Sequence, residues 1–373
     1  MREVYERQNY EDGNMKYAPV IIPTLNRFDH FKKCLESLEK CSGADKTEVY
    51  IGLDYPPTDK YQEGWKKIDC YLKEKESNNG FKKLIVLRRN RNLGVSGRNS
   101  NGNQLTNYIL SISSKYIFSE DDNEFSPNFL EYMNRNLEQY KDDPEVIAVC
   151  GYSYPIEWCV SKGATCLKEN VAVPMFGIGF WKDKRLAYVK ELAEGKVTDS
   201  LKEVLRNGKY KKMIDPGKIG YFEATCRSIF LWKKENNPYR RSSDYTLRTY
   251  LAIADKFVIS PVISKVRNHG FDGTGTCCQA ITDNFGNTAA TYSYEYQPID
   301  TSSTFDLIED TLRADEENRK RMNCFDYRSP EQMARTRRLI SLCEKFGPCS
   351  GRLYCLAHIP FEALQHLLRR IKQ

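Results

Sequence analysis

No stretch of this 373-residue chain stays apolar for the ~20 residues that a membrane-crossing helix needs. A phosphate-cradling GxxxxGK(S/T) loop is missing, and no GxGxxG follows a strand-like run. Those absences exclude a P-loop NTPase and a standard dinucleotide-binding domain. Thirteen cysteines contain no CxxC pair, and with only four histidines there is no spacing typical of zinc. The odd cysteine count reads as reduced thiols. The N-terminal MREVYERQNYEDG is too polar and acidic for a secretory leader. The cytoplasm is therefore the expected compartment.

The net charge of +7 is unevenly placed. From Arg319 to the end there are 12 basic and 4 acidic residues, against 45 and 46 in the rest. The basic character belongs to the tail. Phe361, Leu364, Leu367, Leu368 and Ile371 form a helical stripe there, closed by Arg369, Arg370 and Lys372. Such a segment suits either peripheral contact with an anionic inner membrane face or packing on its own domain. Nucleic acid is not an expected partner.

The first half alternates strand-like and helix-like runs. Ala18–Pro23, Glu48–Leu53, Leu84–Leu87, Tyr116–Phe118 and Val146–Cys150 read as strands. Between them, Phe28 to Cys41 and Leu105 to Ile112 carry helical spacing, and Ser126-Pro127 reads as the N-cap and first residue of another helix. This is an α/β pattern: a mainly parallel central sheet covered by helices on both faces. Ligands of such sheets bind beyond the carboxyl ends of the strands. There this chain places Asn26-Arg27, Asp54, Arg88–Asn92 and Glu120–Asp122. Residues 151–185 read as structured loop, 195–218 as an insertion, Lys256–Ile263 as a strand, 281–305 as a long loop, and everything from about 306 as helical.

Glu120, Asp121 and Asp122 end an apolar run. Adjacent carboxylates suit a hard divalent cation, Mn²⁺ or Mg²⁺, which takes one or two protein oxygens and completes its shell with phosphate and water. The competing reading is an acidic turn favouring the following helix N-terminus. In RNRNLGVSGRN (89–99), Gly94 and Gly97 permit tight turns, and Arg98 suits a phosphate or a base. Otherwise that stretch is a plain strand–turn–helix connection.

Four stretches in order, VIIPTLNR…FKKCLESL (20–38), GLDYPPTD (52–59), NLGVSGRNSNG (92–102) and FSEDDNEFSPNFL (118–130), resemble the family 2 glycosyltransferases and the first half of their GT-A fold. The EDD element is also similar to the inverting N-acetylglucosaminyltransferase I group. The resemblance covers residues 18–152 well and 172–276 loosely. It implies a GT-A domain over 1–305, with a nucleotide-sugar half about 18–152 and an acceptor half about 153–305, followed by a basic helical extension, 306–373.

The resemblance also implies roles. Pro23, Thr24 and Arg27 would line the nucleotide pocket, and Asp54 would contact base or ribose. Asn92, Gly94 and Arg98 would sit near the nucleotide. Glu120 and Asp121 would steer water or ribose, while Asp122 would hold the metal. Asp244, at a helix start in RRSSDYTLRTYL, would be the general base, with Glu223 its competitor or an acceptor contact. The alternative for Asp244 is a plain helix-start acid. FGIGFWKDKR (176–185) resembles the acceptor loop, with Gly179 and Trp181 facing a sugar ring; core packing is the alternative. His269, in NHGFDGTGT, would ligate metal or touch the diphosphate, or be structural. The glycines after it suggest a segment over 268–285 that orders on bound donor.

The expected activity is a metal-dependent, inverting transfer from a nucleotide-sugar, a UDP-sugar by resemblance, to a glycan or lipid-linked glycan in bacterial surface polysaccharide assembly. A sugar-phosphate nucleotidyltransferase is the second reading, although PTLNR stands where its Gly-rich loop would be. A non-catalytic nucleotide- or carbohydrate-binding protein is the third.

Overall fold

A computed structural model of the chain describes residues 15–203 (without 96, 98, 171, 172, 198, 201 and 202), 244–274 (without 271 and 273), 299–324, and 338, 341, 342 and 345. The first half follows the expected alternation: β1 (Val20–Thr24), α1 (Phe28–Glu39), β2 (Glu48–Leu53), α2 (Gln62–Ser77), β3 (Lys83–Arg88), α3 (Asn101–Ile112), β4 (Lys115–Phe118), β5 (Asn123–Phe125), α4 (Phe129–Gln139) and β6 (Val146–Cys150). Then come β7 (Cys166–Glu169), β8 (Ile178–Trp181), α5 (Lys182–Glu194), α6 (Asp244–Ala254), β9 (Phe257–Pro261), β10 (Val266–Asn268) and α7 (Asp315–Cys324).

Eight strands make one sheet in the order β3-β2-β1-β4-β8-β6-β9-β7. Six are parallel, and β8 and β7 run against them. This is the mainly parallel, helix-flanked sheet that the alternation implies. Side chains alternate between its faces. Val20 and Ile22 join the core under α1, α2 and α4, whereas Ile21 joins the core under α3, α5 and α6. In α1, Phe31, Cys34, Leu35 and Leu38 are all buried, so a 3.6-residue stripe seals the helix to the sheet.

The chain first travels outward from β1 to β3, then returns by α3 to place β4 on the other side of β1. That reversal is a topological switch point, where two neighbouring strands lead their connections in opposite directions and leave a crevice. β1 and β4 pair only at Val20↔Ile117 and Ile21↔Phe118. Beyond Ile21 the two strands part, and Pro23 sits where pairing has ended. A proline can stand in a central strand at such a place because no ladder donor is required of it.

Several elements differ from expectation. Residues 151–185 contain β7 and β8. Both are only four residues long and mostly buried, so neither shows the polar–apolar alternation that marks a half-exposed strand. Helix α4 starts at Phe129, not at Pro127. The Ser126 hydroxyl donates to Asn128 Oδ1 (3.0 Å), and the Phe129 N–H to the Ser126 carbonyl (3.0 Å), which makes a turn instead of a cap. Asn123–Phe125, within the presumed acidic turn, is a strand paired antiparallel with β10. Residues 306–314 carry no helix. The Thr165 N–H donates to the Ile308 carbonyl (2.8 Å), and the Asp310 N–H to the Cys166 carbonyl (2.9 Å). The insertion from 204, the loop 275–298 and most of the basic tail lie outside the described residues.

Residues 299–305 are fastened by a buried cation. Lys265, 3% exposed, is paired with Asp300 and lies over the rings of Tyr132 and Phe305, 5.7 and 5.2 Å from their centroids. Burial lowers the Lys265 pKa, and Asp300 opposes that shift. Asn128 Nδ2 donates to Asp300 Oδ2 (3.0 Å) and to the Thr304 carbonyl (2.8 Å), so the residue flanking α4 also holds this segment. Asp300→Ala should strand the lysine charge in the core and cost about 3 kcal/mol or more in urea unfolding.

Candidate active site

Four strand ends meet at the carboxyl edge of the sheet. Thr24 ends β1, Asp54 follows β2, Arg88 and Arg89 close β3, and Ser119 to Asp122 follow β4. The Ser119 N–H donates to the Ile21 carbonyl (3.0 Å), which extends the β1–β4 contact by one residue before the chain turns at Asp121-Asp122. Asp121 and Asp122 are each 7% exposed.

Two buried neighbouring carboxylates require compensation. It comes from Arg27, the last residue before α1. Its backbone carbonyl accepts from the Phe31 N–H (2.9 Å), but its side chain does not cap the helix. Instead the guanidinium reaches across the crevice. Nη2 contacts Asp121 Oδ1 and lies 2.7 Å from Asp122 Oδ2. The Thr24 hydroxyl donates to the other Asp121 oxygen (2.8 Å). Burial works to lower the Arg27 pKa, but Asp121 and Asp122 outweigh it and hold the group above its ordinary value. Burial raises the Asp121 pKa, with Arg27 opposing and Asp122 adding to the rise.

The β5–β10 ribbon completes the wall. Asn268, the last residue of β10, donates to Asp122 Oδ1 (2.8 Å) and to Asn123 Oδ1 (2.9 Å). The Asn268 carbonyl-type Oδ1 accepts from the Gly270 N–H (2.9 Å). A Cβ at Gly270 would collide with Asp122 Oδ2, so glycine is what lets this backbone lie against the carboxylate. Reading the sequence alone missed Asn268, Gly270 and His30. The available signal was the polar, glycine-containing RNHG a few residues beyond the Lys256–Ile263 strand, in which His269 is the residue that stands out.

His269 stands beside the acids but does not turn its ring to Asp122. Its N–H donates to the Asp122 carbonyl (2.8 Å), and its ring Nε2 lies 2.8 Å from Glu124 Oε2. The hydrogen bond from His269 holds the Glu124 pKa below its ordinary value. His30 on α1 pairs with Asp272 (3.0 Å) and lies 3.3 Å from the His269 carbonyl. Glu120 is half-buried at the start of the turn.

Asp54 is buried, and the loop after β3 folds onto its carboxylate. Oδ1 accepts from the N–H groups of Tyr55 (2.9 Å) and Leu93 (2.9 Å). Oδ2 accepts from the Gly94 N–H (2.9 Å) and from Asn92 Nδ2 (3.3 Å). Gly94 takes φ +71°, the left-handed region open to glycine.

Two expected acceptor residues are elsewhere. Trp181 pairs with Lys115 at the start of β4, the edge opposite the carboxylates. It is 5% exposed, and its indole N–H donates to the Leu137 carbonyl (2.9 Å). Gly179 lies mid-strand under Met133 and Leu137, where a side chain would crowd α4. Both serve packing, because β8 runs against β4 and carries its FW end away from the site. The start of β8 flanks Phe118 instead. Helix α6 is described from Asp244 onward, while the Asp244 side chain, Glu223 and Arg98 lie outside the described residues.

Asp121 and Asp122 fit a hard divalent cation in the way that uses one or two carboxylates with phosphate and water. Among the described residues no group of three His, Cys, Asp or Glu side chains could enclose a metal without such a co-ligand.

No protein-family profile matches the chain, and no curated protein sequence is detectably similar to it. Solved structures do overlap it. TarS of S. aureus shares 14% identity at a TM-score of 0.33, over 66% of this chain and 35% of that one. The Pyrobaculum calidifontis mannosyltransferase PcManGT, in complex with GDP-Man and Mn²⁺, shares 13% at 0.33, over 65% and 75%. TarS 1-349 in complex with UDP-GlcNAc shares 15% at 0.31, over 48% and 47%. The chain thus spans about a third of the full TarS chain, and agreement at this level is a loose overlap of chain paths.

Arg27→Ala should expose the constraint. A carboxyl whose folded pKa lies above its unfolded value favours folding while protonated, and loses that contribution as pH rises through the folded pKa. Removing the guanidinium drives Asp121 further that way. The expected loss is about 3 kcal/mol near pH 7.5 and clearly less near pH 5, read by urea unfolding at both.

Proposed function

We propose that this chain is a nucleotide-sugar-dependent glycosyltransferase of the inverting type, assisted by Mn²⁺ or Mg²⁺. The observation that carries the reading is the crevice at the β1/β4 switch point, where Asp121 and Asp122 stand with Arg27 and Thr24. The first and last of the four motifs that resemble family 2 glycosyltransferases supply these residues. Among the described residues, Arg27 Nη1 is a buried donor with no partner. A phosphate oxygen would satisfy it, as anionic donors of this class provide.

Asp122 would hold the metal, with Asp121 beside it, and Asn268 would fix the Asp122 carboxylate. When bound, the cation supplies charge stabilisation for the departing diphosphate. Arg27 and Thr24 orient the donor side. Asp244 takes the acceptor proton. The acceptor oxygen forms its bond to the anomeric carbon as the bond from that carbon to the diphosphate breaks, so configuration inverts in one displacement. Helix α6 leads through a two-residue turn into β9, which runs parallel to β6. It therefore descends antiparallel to those strands from the side of their carboxyl edge, the edge of the acids, which supports Asp244 in this role.

The acceptor class we favour is a glycan or lipid-linked glycan of bacterial surface polysaccharide, met in the cytoplasm or at the inner membrane face. Among the described residues no helix is long and apolar enough to cross a membrane.

Incubating the protein with a panel of nucleotide-sugars, Mn²⁺ and glycan acceptors should release a nucleoside diphosphate; release of pyrophosphate from a nucleoside triphosphate and a sugar 1-phosphate would instead identify a nucleotidyltransferase. Asp122→Ala should abolish transfer and metal-dependent nucleotide binding in calorimetry. Asp244→Asn should lower kcat by about 10²–10⁴ with donor binding kept. Near-normal turnover of that variant would remove Asp244 from the mechanism.

A further inference from the structure

The carboxylate of Asp54 has no oxygen left for a ligand. An ionised carboxylate offers roughly four lone-pair sites. Four donors already fill them: the N–H groups of Tyr55, Leu93 and Gly94, and the side-chain amide of Asn92. Asn92 Nδ2 also donates to the Tyr55 carbonyl (2.6 Å), closing a ring between the two strand ends. Around it, Trp65 Nε1 donates to the Asp54 carbonyl (2.8 Å), and the Asp54 N–H donates to the Thr24 carbonyl (2.9 Å). Asp54 is 4% exposed, while Tyr55 beside it is 41% exposed.

We propose that Asp54 is a positioning residue that latches the 92–94 loop onto the end of β2, and does not read the nucleotide base. Three features meet in this arrangement. Two consecutive backbone N–H groups, those of Leu93 and Gly94, point at one carboxylate. Gly94 takes its positive φ to do so. The Asn101 N–H in turn donates to the Gly94 carbonyl (3.1 Å), which ties the latched loop to the first turn of α3. The loop is thereby held as a fixed wall beside Thr24 and the crevice. Any nucleotide lying there meets a surface whose shape depends on Asp54 but whose ligand contacts are made by other atoms. The consequence for specificity is that changing Asp54 weakens every nucleotide alike.

The test is Asp54→Asn, which keeps the size and replaces one acceptor oxygen with a donor facing the Gly94 N–H. Amide hydrogen exchange at Leu93 and Gly94 should quicken by at least about tenfold, the effect of losing one hydrogen bond to a charged group. Donor KM should rise by a similar factor for uridine, guanosine and cytidine nucleotides together, with kcat within a few-fold. Asn92→Ala, which removes one donor and leaves the backbone bonds, should show the same pattern more weakly and serves if Asp54→Asn does not fold. Unchanged exchange at Leu93 and Gly94 in a folded variant overturns the latch. A KM change confined to one base overturns it equally, by making Asp54 a reader. The nucleotide arm rests on the glycosyltransferase reading, whereas the exchange arm does not, so a protein that binds no nucleotide still reports on the latch.

Discussion

Two carboxylates adjacent in sequence, both buried, cannot remain charged side by side unless a cation stands with them. Arg27 meets that condition, and much of the local architecture follows from it. For the guanidinium to reach Asp121 and Asp122, α1 must start without a side-chain cap of its own, one residue after Arg27. β1 must end at Thr24, so that its hydroxyl serves Asp121 from the same side. The β5–β10 ribbon must bring Asn268 to the remaining Asp122 oxygen. A donor diphosphate with its cation would enter a site whose charges are already balanced, and would have to exchange partners rather than find bare acids.

The site thus holds two kinds of carboxylate. Asp54 is satisfied mostly by backbone N–H groups, which stay put as long as the loop is folded. Asp121 and Asp122 are satisfied mostly by side chains, a guanidinium, a hydroxyl and an amide, which can change partners by side-chain rotation without refolding a loop. Exchangeable partners suit a place where ligands come and go, and fixed partners suit a wall.

The first half of the fold was legible because its signals are local. EVYIGL is a strand within the spacing of its own residues, and Phe31, Cys34, Leu35 and Leu38 spell a helix face. The carboxyl-edge position of Arg27, Asp54 and the EDD cluster followed from strand ends, and that of Thr24 from the resemblance. What stayed hidden depends on partners distant in sequence. Asn123–Phe125 becomes a strand only because Val266–Asn268 lies beside it. Glycine and aromatic residues in FGIGFW suggest a loop until β8 is seen to be buried between β4 and β6. The direction of β8, which decides that Trp181 points away from the site, is a property of the whole sheet. Ser126-Pro127 has the right residues for a helix start, yet Asn128 is drawn toward Asp300, 172 positions on, and the helix begins two residues later than Pro127.

Pro23 has a consequence for how the crevice behaves in water. In the parallel ladder between β1 and β4, the rung after Ile21 falls to the amide of residue 23, and proline has none. One rung that would extend the β1–β4 ladder is therefore absent, whatever the side chains around it do. A molecule arriving at Thr24 and Asp121 displaces solvent instead of breaking main-chain bonds. Proline at this position takes one main-chain bond out of the closed arrangement and so tilts the balance toward an open entrance.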